Sequence, residues 1–132
     1  MTLEHPYPRG LLHNAAFSQV VVASGARTIY TAGQVSVDES GATIGVGDLA
    51  EQTAQAMRNI GQALAAAGAG YSDIVKITTY VVNYQPEHRA IIGKARAPFF
   101  ASKKPPASTL IGVTALAVPE WLVEIEAVAV ID

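Results

Sequence analysis

Two stretches of this chain are apolar on both sides of a strand. Residues 74–82 (IVKITTYVV) and 122–132 (LVEIEAVAVID) are rich in β-branched residues, and side chains along a strand alternate between its faces. In the closing stretch Val123, Ile125, Ala127, Ala129 and Ile131 make a wholly apolar face. The other face carries Leu122, Glu124, Glu126, Val128 and Val130, so two carboxylates stand among valines. In the middle stretch Val75, Ile77 and Val81 lie on one side, with Ile74, Tyr80 and Val82 on the other. A sheet built from such strands has to be covered twice.

The rest of the chain offers cover for one face only. Asp48 reads as an N-cap, with Glu51 completing a capping box, for a helix over about 49–67. Positions 49, 53, 56, 57, 60 and 64 form its buried stripe, with Thr53 the polar member, and Gly68 and Gly70 stop it. Pro86 suits the first turn of a second helix reaching about Phe100, and Lys103-Lys104-Pro105-Pro106 breaks it. Strands are expected at 19–23 (QVVVA), at 28–37 (TIYTAGQVSV) as its hairpin partner, and at 108–113. Gly33 interrupts the second of these, which signals a bulge or a close approach of the backbone to another group. The order β-β-α-β-α-β-β, without repeat or linker, predicts a single α+β domain over residues 1–132. Two helices leave one sheet face open, and its apolar content points to a homo-oligomer packed sheet to sheet.

Composition excludes several functions. The net charge is −2 with Lys and Arg scattered, which speaks against a nucleic-acid partner. No apolar stretch nears the roughly 20 residues of a membrane span. The start, MTLEHPYPRG, lacks the pattern of a signal peptide, so the expected compartment is the cytoplasm. With no Cys there is no disulfide, thiolate ligand or cysteine nucleophile. His5, His13 and His88 have no metal-ligand spacing, so no metal site is expected. Gly45-Val46-Gly47-Asp48-Leu49-Ala50 fits the dinucleotide pattern in letters only. The preceding residues are polar, and Asp48 puts a negative charge where a phosphate would sit. Ser18, Ser24 and Ser108 lack a nucleophile elbow and read as turn or strand-edge residues.

The carboxylates remain. Glu124 and Glu126 can simply reach water from an open sheet face. At a subunit interface, however, an isolated carboxylate is costly unless paired, and burial raises a carboxyl pKa into the range useful for handling water.

Thr31-Ala32-Gly33-Gln34, QTAQAMRNI (52–60), AAAGAGYSDIVKITTYVV (65–82), APFF (97–100), PAS (106–108) and VEIEAVAV (123–130) together resemble the Rid family, also called YjgF-like or L-PSP-type. The resemblance runs from about Leu11 to Ile131. It implies a chorismate-mutase-like α+β fold that trimerises around a central barrel of sheets, with sites in the clefts between subunits. It also implies hydrolysis of reactive imines and enamines, such as 2-aminoacrylate, to a ketoacid and ammonia, with no metal or organic cofactor.

Carried over by position, the resemblance gives Glu124 as the water-activating carboxylate. Gly33 supplies backbone to the site. Where the family's deaminases have a carboxylate-clamping arginine, this chain has Ser108, whose hydroxyl cannot grip a carboxylate bidentately. The family's tyrosine is Phe17, an apolar wall, and an asparagine of the second helix is Gly93. The implied function is a Rid-type hydrolase acting on an imine, enamine or related small molecule other than a simple 2-imino acid, bound by Phe17, Gly33 and Ser108. A non-catalytic small-molecule binder is the alternative. An L-PSP-type ribonuclease ranks last because of the acidic balance. Arg27, Arg89, Lys94, Arg96 and Lys104 read as solvated surface charges, none singled out to replace the clamp, with a cation from a neighbouring subunit as the open alternative.

Overall fold

The computed structural model describes residues 1–101 and 104–132. Its main sheet has four strands in the order β3-β6-β4-β5: β3 (Arg27–Tyr30), β6 (Val123–Ile131), β4 (Ile74–Val82) and β5 (Ala107–Val113). β6 runs antiparallel to both neighbours, whereas β4 and β5 are parallel. Their parallel pairing requires a crossover, which α2 (His88–Arg96) and a 3-10 segment (Ala97–Phe100) supply. The first helix, α1 (Leu49–Ala65), lies beside α2 on the same sheet face.

Core and helix periodicity agree. α1 buries Ala56, Met57, Ile60 and Leu64 against Ile77 and Val81 of β4 and Val123, Ile125, Ala127 and Ala129 of β6. Each large side chain so buried contributes about 1.5–3 kcal/mol. Thr53, the polar member of the stripe, gives its hydroxyl to the Leu49 carbonyl at 2.8 Å. Asp48 caps the helix by accepting from the Glu51 backbone at 3.0 Å. The reciprocal half of the capping box does not form, because the Glu51 carboxylate lies 3.8 Å from Arg58 instead. Gly68, at φ +79°, ends the helix in the left-handed region where glycine is favoured.

Two side-chain amides fix segments on either side of the site. Buried Gln52 donates to the Gly45 and Glu120 carbonyls at 3.1 and 3.0 Å and accepts from the Leu122 backbone at 2.9 Å. It therefore fixes the entry to β6 two residues before Glu124. Asn59 donates to the Val35 and Val37 carbonyls at 2.9 and 3.0 Å, holding the segment that leaves Gly33.

Several expectations need correction. The hairpin of 19–23 with 28–37 is absent. β2 (Val22–Ser24) pairs instead with an unforeseen N-terminal strand, β1 (Thr2–Glu4), in a separate two-stranded sheet, and β3 pairs with β6. The chain changes sheets at Gly25, whose α-carbon presses on β6; a Cβ there would lie 2.7 Å from the Ile131 carbonyl oxygen. Ile74 lies on the core face rather than with Tyr80, because a register shift between Ile74 and Lys76 turns it inward opposite Ala129. The second helix is shorter than 86–100, since its last turn tightens into the 3-10 segment at Pro98. Lys103, part of the expected break, lies outside the described residues. Among the described residues no helix is long and apolar enough to cross a membrane.

The sheet face away from the helices carries Glu124, Glu126, Val128 and Val130 of β6 opposite Tyr80, Thr78 and Lys76 of β4. The helices leave this face uncovered, as the two-sided strands require.

Candidate functional site

β3 ends at Tyr30, but its path continues along β6. The Thr31 backbone donates to the Ala127 carbonyl, and Gln34 next exchanges hydrogen bonds with Ile125 at 2.7 and 2.9 Å. Two residues, Ala32 and Gly33, thus stand opposite one, Glu126, which makes a bulge. The bulge brings Gly33 onto the Glu124 side chain: a Cβ on Gly33 would lie 2.6 Å from Glu124 Oε1 and 2.8 Å from its Cγ. The close approach expected at Gly33 is therefore to Glu124. These two site residues meet on the open face.

Glu126 stands apart from this pair. The Tyr80 hydroxyl, on the neighbouring strand, donates to its Oε1 at 3.0 Å. That hydrogen bond, followed by desolvation and the charges of Glu126 and Glu124, holds the Tyr80 pKa above its usual value. Sequence reasoning counted Tyr80 among apolar residues and missed this partner.

Ser108 and Phe17 meet elsewhere. Ser108 faces the helices, since it pairs with core residue Ile77, which pairs in turn with Ala127. Glu124 pairs with Tyr80 on the opposite side. Beyond the outer edge of β5, Ser18 bridges Ala107; its backbone donates to the Pro106 carbonyl at 3.1 Å and its hydroxyl to the Pro105 carbonyl at 2.6 Å. This seats Phe17 beside Ser108, where both line a cleft of about 950 Å³ between β5 and α2. Gly93 is part of its wall, and a Cβ there would meet only open space.

The cleft also contains a residue that sequence reasoning placed in solvent. Arg96 extends from the end of α2 towards β5. Its Nη1 donates to Thr79 Oγ1 at 3.0 Å, while Nη1 and Nη2 lie 3.5 and 3.4 Å from Ser108 Oγ. Nε is buried without a hydrogen-bond partner. Desolvation pulls the Arg96 pKa below its ordinary value, although a guanidinium stays charged at neutral pH. The helical period explains the inward course. Ile92 is the buried residue of α2, and Arg96 follows it by four positions on the same stripe. That spacing was visible in the sequence. Arg27, Arg89, Lys94 and Lys104 are exposed, as expected.

The predicted residues thus form two groups on opposite faces of one sheet, Gly33 with Glu124 and Phe17 with Ser108, and Arg96 lies beside the second.

The model of the endoribonuclease L-PSP family matches residues 10–131. A RutC family protein of Pyrococcus horikoshii is 33% identical over 113 residues, covering 86% of this chain and 85% of its own. The 2-iminobutanoate/2-iminopropanoate deaminase of Rattus norvegicus is 38% identical over 68 residues, a match spanning 52% of this chain and about half, 48%, of the enzyme. Among solved structures, YyfB of Yersinia pestis, a Rid family protein of unknown function, superposes with a TM-score of 0.94 at 38% identity, covering 99% of this chain and 100% of that one.

Proposed function

The chain belongs to the endoribonuclease L-PSP family, which includes the Rid and YjgF proteins, and we propose that it is a Rid-type hydrolase deaminating a small imine or enamine. The observation that carries this reading is the packing of the Gly33 backbone against Glu124, which holds a carboxylate beside a main-chain edge on the sheet face that the helices leave open. The deaminase name of the Rattus norvegicus relative supports the reaction class.

The chemistry requires one group that takes a proton and later returns it. Glu124 accepts a proton from water as the water oxygen bonds to the imine carbon, and it passes that proton to the nitrogen, which has received the C=N π electrons, so that a carbinolamine forms. Glu124 then takes the carbinolamine hydroxyl proton and delivers it to nitrogen as the oxygen lone pair closes the C=O bond and the C–N bond breaks. One imine and one water give one carbonyl compound and one ammonia. Phe17, Gly33 and Ser108 contact the substrate.

Both half-sites serve one reaction if neighbouring copies join them. We place the active site in a cleft between subunits of a homotrimer packed on the open sheet faces. The opposed orientation of Glu124 and Ser108 supports this assembly. The substrate is placed outside the simple 2-imino acids because position 108 carries a hydroxyl in place of a guanidinium.

Ammonia release from a panel of freshly generated imines tests the reading. Glu124→Gln is expected to lose about 100-fold or more of the rate, the usual range for a general acid–base. A variant as fast as wild type removes Glu124 from the mechanism. A wild-type protein inert across the panel establishes the binder instead.

A further inference from the structure

Three cavities border one short loop. The cleft between β5 and α2 touches Asn14, Ala16 and Phe17. A second cavity of about 310 Å³ touches Asn14, Ala15 and Phe17 from the other side, and a third of about 210 Å³ touches Ala15 and Ala16. The loop between them is tied down nonetheless. Gln19 Nε2 donates to the Leu12 carbonyl at 2.8 Å, the Ala16 backbone donates to Asn14 Oδ1 at 2.8 Å, and Ser18 is held on Pro105 and Pro106. The cavities are therefore built features, parted by a thin wall of two alanines and Phe17.

The second cavity is mostly apolar. Tyr7, Leu11, Leu12, Phe17 and Val20 line it together with three prolines, and the Tyr7 and His13 rings pack at 5.1 Å on its border. Tyr7, Leu11 and Leu12 remain 69%, 52% and 71% exposed, and large apolar side chains left open around one concavity mark a binding site. We propose that this cavity receives an aromatic ring of the molecule whose reacting group lies in the cleft, with Phe17 as the shared wall. An apolar cavity of about 150 Å³ accommodates benzene. The second cavity, at about 310 Å³, holds one ring and a short linker. Tyr7, His13 and Phe17 offer rings for it to pack against. Among the described residues the one permanent charge on the lining is Lys104, which disfavours a cationic group and attracts the face of a ring. The substrate is thus an imine or enamine bearing an arylalkyl group. The inference rests on the hydrolase reading for calling this ligand a substrate, but not for the binding of the ring.

The test is calorimetric titration of the full-length protein with 2-butanone and 4-phenyl-2-butanone. These neutral ketones are stable stand-ins for the imines and differ only in the ring. Wild type is expected to bind the phenyl ketone at least about tenfold more tightly, the low end for burying a Phe-sized side chain. Tyr7→Ala and Leu12→Ser, both at exposed positions where the fold tolerates change, should each cut that preference severalfold and leave 2-butanone binding unaltered. Equal binding of the two ketones, or an undiminished preference in both variants, overturns the inference. So does a change of oligomeric state in Leu12→Ser, read by light scattering, because the surface would then belong to a second copy. Glu124→Gln separates the two proposals: it should keep the preference for the ring while failing to hydrolyse imines. Tyr7-dependent binding of the ring by a protein inert towards every imine would sink the hydrolase and leave the aromatic subsite standing.

Discussion

Replacing Gly33 with alanine adds one methyl group at the point where the bulge meets Glu124. Backbone strain is not the issue, because the glycines at positive φ are Gly10, Gly41, Gly45, Gly47 and Gly68. Space is. The new Cβ would lie 2.6 Å from Glu124 Oε1, about 0.8 Å inside the 3.4 Å at which ordinary contact begins. Cδ and Cγ would be equally crowded at 2.7 and 2.8 Å, so rotating the carboxylate alone gives no relief and the side chain must change rotamer near its root. The obstacle is a flexible side chain rather than main chain, so stability should fall by no more than about 1 kcal/mol. A displacement approaching 1 Å at a catalytic group costs on the order of 100-fold in rate. Gly33→Ala is therefore expected to lose about that factor in kcat, with a smaller rise in KM because Gly33 itself contacts the substrate. Ammonia release at saturating imine and urea unfolding read the two quantities. A variant with full kcat refutes the role of the Gly33–Glu124 contact. A stability loss above about 3 kcal/mol would mean that the backbone, not the glutamate, gives way.

Tyr80 should titrate above its usual range, as seen in the ultraviolet difference spectrum between wild type and Tyr80→Phe, and Glu126→Gln should lower that titration. Because the folded pKa is the higher one, the stabilisation is complete below the unfolded tyrosine pKa of about 10 and is lost as pH rises through the folded value. An unshifted tyrosine would contradict the Tyr80–Glu126 hydrogen bond. Ser108→Arg should destabilise the fold, because it puts a second guanidinium beside Arg96 in a cleft whose other charged residues are cations. Combining it with Arg96→Met should remove most of that loss; an equal loss in both backgrounds would rule out repulsion as its cause.

Local periodicity made part of the fold legible in the sequence. The α1 stripe, its stop at Gly68, the two-faced β6 and the bulge at Gly33 all come from spacing within one element. Pairing was less legible, because nothing local distinguishes β2 as a partner for β1 from a partner for β3. The adjacency of Phe17 and Ser108 likewise depends on the Ser18–Ala107 bridge between distant segments. Gly33 announced a close approach but not that Glu124 was its object. Arg96 was misjudged for a different reason: its charge outweighed its place four residues after Ile92 on a buried stripe. A long side chain can follow the stripe inward while the residues beside it stay in water.

The central claim is that two half-sites on opposite sheet faces complete one another between copies. Mixing Glu124→Gln and Ser108→Trp chains, unfolded together and refolded in equal amounts, tests it at imine concentrations well below KM. Each parent is expected to be nearly inactive alone. In a closed ring of random composition, about a quarter of the interfaces would unite an intact Glu124 with an intact Ser108, so about a quarter of wild-type activity should return. A mixture no more active than its parents would contradict the shared site.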